Sequence, residues 1–213
     1  MQTIDLVRVA VALVAGFLLG GIPFGIIIPR LIGGPDPRTI GSGRTGGANV
    51  SRAVGYRWAA VSGLLDVAKG SVAVLLVMVI GGGPVPQILA ALAAIVGHSR
   101  SPFIGLKGGR GVAPATGGAL IIEPLILAVI FPVFVIVIAV TRISSLGSLG
   151  ASAMGGIVMI VATAVAPLPP IYYLYGIGVP GLIWLFHVDN IQRLLAGQER
   201  RIGRSGQATD GSR

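Results

Sequence analysis

The sequence predicts an all-α, polytopic membrane protein with about seven transmembrane helices, some of them short or kinked. Hydrophobic residues make up 54% of the chain and charged residues only 11%, whereas soluble domains carry about 25% charged residues. Long apolar segments recur between short polar connections, and a helix needs roughly 20 apolar residues to cross a bilayer. The basic residues lie in alternate connections, which indicates a topology.

The predicted spans follow one another from the N-terminus. They cover residues 9–29, 58–80, 88–97 with their flanks, 112–122, 124–140, 146–166 and 171–186. The first is about 31 Å long at roughly 1.5 Å per residue, which is too long for the apolar core of a signal peptide. Pro23 and Gly25 are expected to bend it near its inner end. The small residues of 146–166 favour close helix packing.

The basic residues predict which side each connection faces. Of the 16 basic residues, 14 lie in residues 30–57, in 100–110, at Arg142 or in 193–213. The connections at 81–87, around Glu123 and at 167–170 contain none. Since basic residues concentrate in cytoplasmic loops, the N-terminus is predicted outside and the C-terminus in the cytoplasm. Strict alternation requires the short 112–122 segment to cross or re-enter the membrane.

Composition also bounds the domains and ligands. Residues 1–196 are predicted to form one transmembrane domain, and residues 197–213 a polar tail that is expected to be disordered. The net charge of +9 fits loops that meet anionic lipid head groups, so no nucleic-acid partner is expected. The chain has no cysteine and two histidines, which leaves no thiol chemistry and no metal-ligand cluster. No metal or cofactor is expected.

Residues 41–52 form a basic, glycine-rich segment between two apolar segments. The segment reads GSGRTGGANVSR and contains no carboxylate. Glycines permit positive φ angles, and successive N–H groups in such turns form concave nests that bind anions. Arg44 and Arg52 add forked donors that match phosphate. Because the P-loop pattern is absent, a flexible, positively charged membrane loop is the other interpretation.

A second segment of this kind covers residues 107–111 and reads KGGRG. Its candidate phosphate-binding residues are Lys107, Gly108, Gly109 and Arg110. The predicted topology places both segments on the cytoplasmic side of the membrane. Together they suggest a site where a phosphorylated soluble substrate meets a lipid.

Two ionisable residues fall inside the second predicted span. Asp66 and Lys69 are three positions apart and therefore share one helix face. Ionisable groups at membrane depth are costly and usually face protein or water. They form either a neutralising structural ion pair or a site in which Lys69 points into a substrate cavity.

Several short motifs follow one another in a fixed order. They are Ile22-Pro23-Phe24-Gly25, Gly41-Ser42-Gly43, Asn49-Val50 with Arg52, Asp66 with Lys69-Gly70, Gly97-His98, the run KGGRGVA at 107–113, and His187 with Asn190-Ile191 and Arg193-Leu194. Each motif alone is weakly diagnostic. Their order and spacing, from about residue 20 to about residue 199, resemble the bacterial acyl-phosphate:glycerol-3-phosphate acyltransferases, the PlsY family.

The resemblance implies a function and a location. Such an enzyme transfers a fatty acyl chain from acyl phosphate to the 1-hydroxyl of glycerol 3-phosphate without a metal. The products are lysophosphatidic acid and phosphate, at the first step of phospholipid synthesis. Glycerol 3-phosphate, acyl phosphate and membrane lipid are the implied partners. The implied location is the bacterial inner membrane, with the active site facing the cytoplasm.

The resemblance also implies site residues. Six positions match functional residues of the family: Ser42 and Arg52 in the first motif, Lys107 in the second, Ser145 in an inner loop, and His187 and Asn190 in the last. Arg44, Asn49 and Lys69 are further candidates. The chain departs from the usual family residues at Arg44, Ala48, Arg110, Pro114 and Arg100-Ser101. These departures bear on substrate preference and activity.

Charge suggests how such a site acts. Both substrates carry phosphate, so Arg52, Lys107 and backbone N–H groups would offset their mutual repulsion. Ser42, His187 and Asn190 are the candidate catalytic residues. His187 is either the general base or a residue that orients Asn190 or the substrate hydroxyl, with the leaving phosphate taking the proton. Ser42 is expected to bind substrate rather than to be acylated, because no base lies beside it in the sequence.

Two alternatives concern the class of protein and the donor. A small transporter or scaffold for phosphorylated metabolites would use the same basic loops, but transporters often have duplicated halves and none is evident. Acyltransferases that use thioesters carry a histidine and an aspartate separated by four residues. Neither His98 nor His187 has an aspartate at that spacing, so acyl phosphate is the expected donor and acyl-CoA is not.

Overall fold

The structure, a computed structural model, describes residues 3–202, and its regular secondary structure in that range is helical, without a β-strand. Its α-helices are α1 (Thr3–Gly21), α2 (Phe24–Leu31), α3 (Gly47–Val54), α4 (Tyr56–Val79), α5 (Pro84–Ser99), α6 (Val112–Ile122), α7 (Leu127–Thr141), α8 (Ser144–Val165), α9 (Ile171–Phe186) and α10 (Val188–Leu195). Short 3-10 helices lie at Pro37–Thr39, Pro102–Ile104 and Pro124–Ile126. The predicted all-α class is confirmed.

Several helices are long enough to cross a bilayer. Among the described residues, these are Asp5–Leu31, Tyr56–Val79, Pro124–Thr141 and Ser144–Val165, and a fifth span results if α9 and α10, bent by 66°, are one. The 11 residues of α6 extend about 16 Å at roughly 1.5 Å per residue, half of the ~30 Å hydrocarbon core. The count of seven and the orientation of the termini remain predictions.

The first span is interrupted where the sequence predicts a bend. Helix α1 ends at Gly21, and α2 begins at Phe24 after Ile22 and Pro23. Proline has no backbone N–H and clashes with the preceding helical turn, so the helix ends there. The carbonyl of Ile22 is thereby freed from the helical ladder, and Lys69 donates to it at 2.6 Å.

Two helices lie where the sequence analysis placed no helix. Helix α3 occupies the second half of the glycine-rich segment, where Asn49 and Val50 are buried on its inner face. Helix α10 carries Asn190 on its buried face. Both helices have eight residues. They were missed because such short amphipathic helices have neither the length nor the hydropathy of a span.

Small residues let the helices approach closely, as predicted for α8. Gly156 of α8 lies against the carbonyl of Gly176 on α9, and Gly155 lies against Ile130 of α7. Helices α4 and α6 meet in the same way, where the Ser71 hydroxyl donates to the Gly117 carbonyl at 2.9 Å. Small interfacial residues allow tight van der Waals packing in membranes.

The buried core draws on most helices, whereas α7 contributes no fully buried residue. One buried apolar cluster joins five helices and the short helix before α7: Val74, Ile88, Ala91, Ala119, Ile126, Met159 and Tyr175. None of the residues of α7 is buried, and apolar side chains such as Phe131 and Ile136 are exposed there. An apolar exposed helix fits contact with lipid. The core cluster closes one end of a large cavity.

Candidate active site

A cavity of about 1160 Å³ lies between α3, α4 and α6 to α9. Its polar end is lined by Ser42, Arg44, Asn49, Arg52, Arg110, Ser145, His187, Asn190, Arg193 and Glu199. Its apolar arm is lined by side chains that include Ile126, Leu127, Ile130, Met159, Tyr175, Val179 and Ile183. The cavity therefore has the polarity of a molecule with a charged head and an apolar tail.

Asn49 holds the first glycine-rich segment in place. Its amide Nδ2 donates to Ser42 Oγ at 3.0 Å and to the Arg44 carbonyl at 2.9 Å. Its Oδ1 accepts from Arg52 Nη1 at 2.8 Å and, more weakly, from the Ser42 backbone N–H at 3.4 Å. Asn49 is 2% exposed. Because Ser42 Oγ accepts from Asn49, its own hydrogen can be directed elsewhere in the cavity.

Gly41 allows this arrangement. Its φ angle is +60°, in the left-handed region that favours glycine. A Cβ at this position would lie 2.6 Å from Asn49 Oδ1 and 3.1 Å from Arg52 Nη1. A side chain would therefore strain the backbone and displace the two groups that order the segment.

The second glycine-rich segment is folded back on α5. The Gly108 N–H donates to the Ser99 carbonyl at 3.2 Å, and the Gly109 N–H donates to the His98 carbonyl at 3.1 Å. A Cβ on Gly109 would overlap Nε2 of the His98 ring. These two N–H groups are engaged within the protein, so this conformation does not present them as an anion nest.

Lys107 does not join the polar end. Its side chain is exposed and is not part of the cavity lining. Arg110, three residues later, lines the cavity. Of the four residues predicted from this segment, Gly109 and Arg110 reach the cavity and Lys107 and Gly108 do not.

Three arginines from separate parts of the chain surround Asp189. Its carboxylate lies 3.1 Å from Arg110, 3.6 Å from Arg193 and 4.0 Å from Arg44. Burial raises the pKa of Asp189, but the three arginines, with the hydrogen bond from Arg110, outweigh it and hold the pKa below its usual value. Asp189 is therefore ionised at neutral pH and neutralises part of this cluster.

Glu199 joins α8 to α10. Its Oε1 accepts from Ser145 Oγ at 2.9 Å and from Asn190 Nδ2 at 2.6 Å, and its Oε2 accepts from Arg193 Nε at 2.8 Å. The Ile202 N–H donates to the Arg142 carbonyl at 2.7 Å. Part of the segment that the sequence assigns to the tail thus contacts the site. Residues 203–213 of the predicted tail lie outside the described residues.

His187 lies at the junction of α9 and α10 and is almost fully buried. Its Nδ1 is 2.7 Å from the Ile183 carbonyl, and a carbonyl only accepts, so Nδ1 carries the proton. Burial lowers the pKa of His187 to about 4, despite the bond to Ile183 and the nearby carboxylates. The ring is therefore neutral at pH 7, with Nε2 free to accept a proton.

Asp66, Lys69 and His98 form a buried cluster beside the cavity. Lys69 Nζ lies 2.6 Å from Asp66 Oδ1 and 2.9 Å from His98 Nδ1. An ammonium only donates, so His98 Nδ1 accepts and Nε2 carries the proton. Asp66 and His98 line the cavity, whereas Lys69 does not. Of the two interpretations of Lys69, this geometry supports the structural ion pair.

The structure thus unites most of the candidates predicted from the sequence. Ser42, Arg44, Asn49, Arg52, Gly109, Arg110, Ser145, His187 and Asn190 line one cavity, and Lys69, Lys107 and Gly108 lie outside its lining. Four lining or neighbouring charged residues were not predicted as site residues: Asp189, Arg193, Glu199 and Arg200. Asp189 and Arg193 are four positions apart in one helix, and this spacing could have predicted their ion pair from the sequence.

Comparison with known proteins identifies the family that this chain resembles. The family model described as glycerol-3-phosphate acyltransferase matches residues 10–197. The glycerol-3-phosphate acyltransferase of Synechococcus sp. (strain JA-3-3Ab) is 41% identical over 90% of this chain and 92% of its own length. That of Dechloromonas aromatica (strain RCB) is 35% identical over 92% and 97%.

Solved structures show the same fold. The crystal structure of PlsY (YgiH), an integral membrane glycerol 3-phosphate acyltransferase, in its glycerol 3-phosphate form has a TM-score of 0.83 and 33% identity, and covers 92% of this chain and 96% of that one. Its lysophosphatidic acid form has a TM-score of 0.82 and 32% identity. This chain belongs to the PlsY family of integral membrane glycerol-3-phosphate acyltransferases.

Proposed function

We propose that the protein transfers an acyl chain from acyl phosphate to the 1-hydroxyl of glycerol 3-phosphate, at the cytoplasmic face of a bacterial inner membrane. The observation that carries the proposal is the single cavity that joins a cationic end to an apolar arm. The cationic end suits the two phosphates, and the arm suits the acyl chain. Membership of the family supplies the acceptor, glycerol 3-phosphate.

The reaction depends on positioning of the two substrates more than on covalent catalysis. The glycerol oxygen attacks the acyl carbonyl carbon, the bond from that carbon to the phosphate oxygen breaks, and phosphate leaves with the electron pair. The hydroxyl proton passes to Nε2 of His187 and then to the leaving phosphate. Acyl phosphate is already activated, so holding the reactants in line contributes much of the rate. No acyl-enzyme is required.

Cations at the polar end oppose the repulsion between the two phosphates. Arg52 is held by Asn49 at 2.8 Å, lines the cavity and is exposed, so it has further N–H donors to offer a phosphate. Arg44 and Arg110 are both paired with the carboxylate of Asp189. Preorganised donors of this kind stabilise charge without reorganising during the reaction.

The donor is tested with purified protein in detergent. With labelled glycerol 3-phosphate, palmitoyl phosphate is expected to yield lysophosphatidic acid, and palmitoyl-CoA at matched concentration little or none. The physical reason is that the cavity offers cations for a small phosphate head. Thioester enzymes also use a histidine and an aspartate separated by four residues, a spacing that is absent here. Equal rates with both donors would contradict the assignment of acyl phosphate.

Arg52→Lys is expected to raise KM for a phosphorylated substrate by roughly ten- to a hundredfold, since a charged hydrogen bond contributes about 1.5–3 kcal/mol. Lysine keeps the charge but cannot reproduce the forked donor that reaches both Asn49 and a phosphate. Arg57→Lys, an exposed arginine outside the cavity lining, is the matched control. Unchanged kinetics in a folded Arg52→Lys protein would remove Arg52 from the phosphate site.

The cytoplasmic location is tested with single cysteines, since the chain has none of its own. Gly47 and Lys107 are both exposed and belong to the two glycine-rich segments. Cysteines at both positions are expected to react with a membrane-impermeant maleimide in inverted vesicles and not in intact cells. Labelling of the two positions from opposite sides would contradict a shared cytoplasmic site.

A transporter for phosphorylated metabolites is less well supported. The cavity is closed at its apolar end by the core cluster. A polar metabolite would gain nothing from the apolar arm, because burying its charge without partners is costly.

A further inference from the structure

The apolar arm of the cavity ends at a closed floor. Four lining residues from four different elements form it: Ala119 of α6, Ile126 before α7, Met159 of α8 and Tyr175 of α9. Each is at most 5% exposed. Behind them lie Val74, Ile88 and Ala91 of the same core cluster. The arm therefore has a defined depth.

That depth matches an ordinary acyl chain. Met159 follows Ser145 by 14 residues in α8, which is about 21 Å at roughly 1.5 Å per residue. Tyr175 precedes His187 by 12 residues in and beside α9, or about 18 Å. One leaflet of the hydrocarbon core is about 15 Å thick with its acyl chains disordered, and the same chains are longer when they are extended. A chain that starts at the polar end would therefore bring its methyl end to the floor.

The cavity also has a side opening. Leu64 of α4 is 70% exposed and Phe131 of α7 is 67% exposed, and both line the cavity. An acyl chain thus has two places to lie, along the arm or out through the opening into the bilayer. Protein interiors are close-packed, and a void of this size forfeits many van der Waals contacts. Filling the arm restores those contacts, so the arm is the favoured place.

We propose that Met159 and Ala119, with Tyr175 and Ile126, set the longest acyl chain that the enzyme transfers efficiently. This inference rests on the proposed function, since it assigns the arm to the acyl group of the donor. A chain that fits ends against the floor. A longer chain is forced against the packed side chains of the floor or must bend, and overpacking of this kind is expected to lower kcat/KM by about tenfold.

Two opposite substitutions test the floor. Met159→Ala removes side-chain volume and is expected to shift the best saturated acyl phosphate to a longer chain. Ala119→Met adds volume and is expected to shift it to a shorter one. Met154→Ala is the matched control, because Met154 lies on the same helix, is exposed and is not part of the cavity lining. It should leave the optimum where the wild type has it.

The readout is the ratio of kcat/KM between chains that differ by two carbons. That ratio is expected to change by about tenfold in opposite directions for the two floor variants, because each variant removes or adds overpacking of the longer chain. A loss of stability alone would lower kcat/KM for donors of every chain length by the same factor and leave the ratio unchanged. If Met159→Ala does not fold, Met159→Val gives a smaller shift in the same direction.

Two outcomes would contradict the proposed role of the floor. If neither floor variant moves the optimum, or if only Phe131→Ala does, the acyl chain leaves through the side opening. The floor then does not set the acyl-chain length. Failure of the proposed function looks different, because the wild type itself would then be inactive with acyl phosphates of every length. In that case the same series is run with acyl-CoA donors, and the floor variants are judged by the same ratio.

Discussion

Replacing His187 by glutamine is expected to lower kcat by about 100-fold, the lower end of the usual contribution of a general base, because a pKa of about 4 makes it a weak base at neutral pH. The Nδ1 proton is committed to the Ile183 carbonyl at 2.7 Å, which leaves Nε2 as the acceptor. Glutamine fills a similar volume and can donate to Ile183, but its amide cannot take up a proton. KM for glycerol 3-phosphate should change much less than kcat, because His187 acts on the reacting hydroxyl and not on the phosphate.

The pH profile gives an independent check. The pKa of His187 is about 4, with burial as the largest cause. The base form is therefore nearly complete from pH 8 down to pH 6, and the wild-type rate should not fall through the ordinary histidine pKa of about 6.5. A fall due to His187 is expected only as the pH approaches 4, when Nε2 becomes protonated.

The other role of His187 makes a different prediction. If His187 only orients Asn190 or the hydroxyl while the leaving phosphate takes the proton, the glutamine variant should retain more than about a tenth of the wild-type kcat, well outside the range of a lost base. A folded His187→Gln protein with that activity would refute the general-base role. Its melting temperature in detergent, close to that of the wild type, shows that folding is intact.

The helices that cross or enter the membrane were largely predictable from the sequence. The bounds of α6 and α9 agree with the predicted 112–122 and 171–186, and Pro23 lies at the predicted bend. The signal was strong there because apolar length is the property that the bilayer selects. The short α3 and α10 depend on one buried face each, and eight residues give too little of a periodic pattern to detect.

The candidate site was predictable where its residues are close in sequence or match a family motif. Ser42, Asn49 and Arg52 meet within one turn and one helix. Contacts across the fold carried no local signal: Glu199 reaches Ser145 across 54 positions, and Arg110 meets Asp189 across 79. The engaged N–H groups of Gly108 and Gly109 were equally hidden, because composition does not show which way a loop turns its backbone.

Replacing Lys69 by methionine is expected to destabilise the protein by about 3–5 kcal/mol, because it leaves Asp66 charged and buried without its partner. Lys69 is 3% exposed at its side chain and Asp66 is 6% exposed. The same ammonium also holds the Ile22 carbonyl at the break between α1 and α2 and His98 beside Gly109. For a chain of this length the loss corresponds to a fall in melting temperature of roughly 6–20 °C.

Removing both charges should be less harmful than removing one. In the Asp66→Leu/Lys69→Met variant no buried charge is left unpaired, and apolar side chains of similar volume often replace a buried ion pair at little cost. Lys107→Met, the same substitution at an exposed position, should change stability by less than about 0.5 kcal/mol. Melting curves in one detergent compare the four proteins. If the double variant melts below Lys69→Met, the pair is not a neutralising one, and Lys69 is retained for the carbonyl and imidazole that it binds.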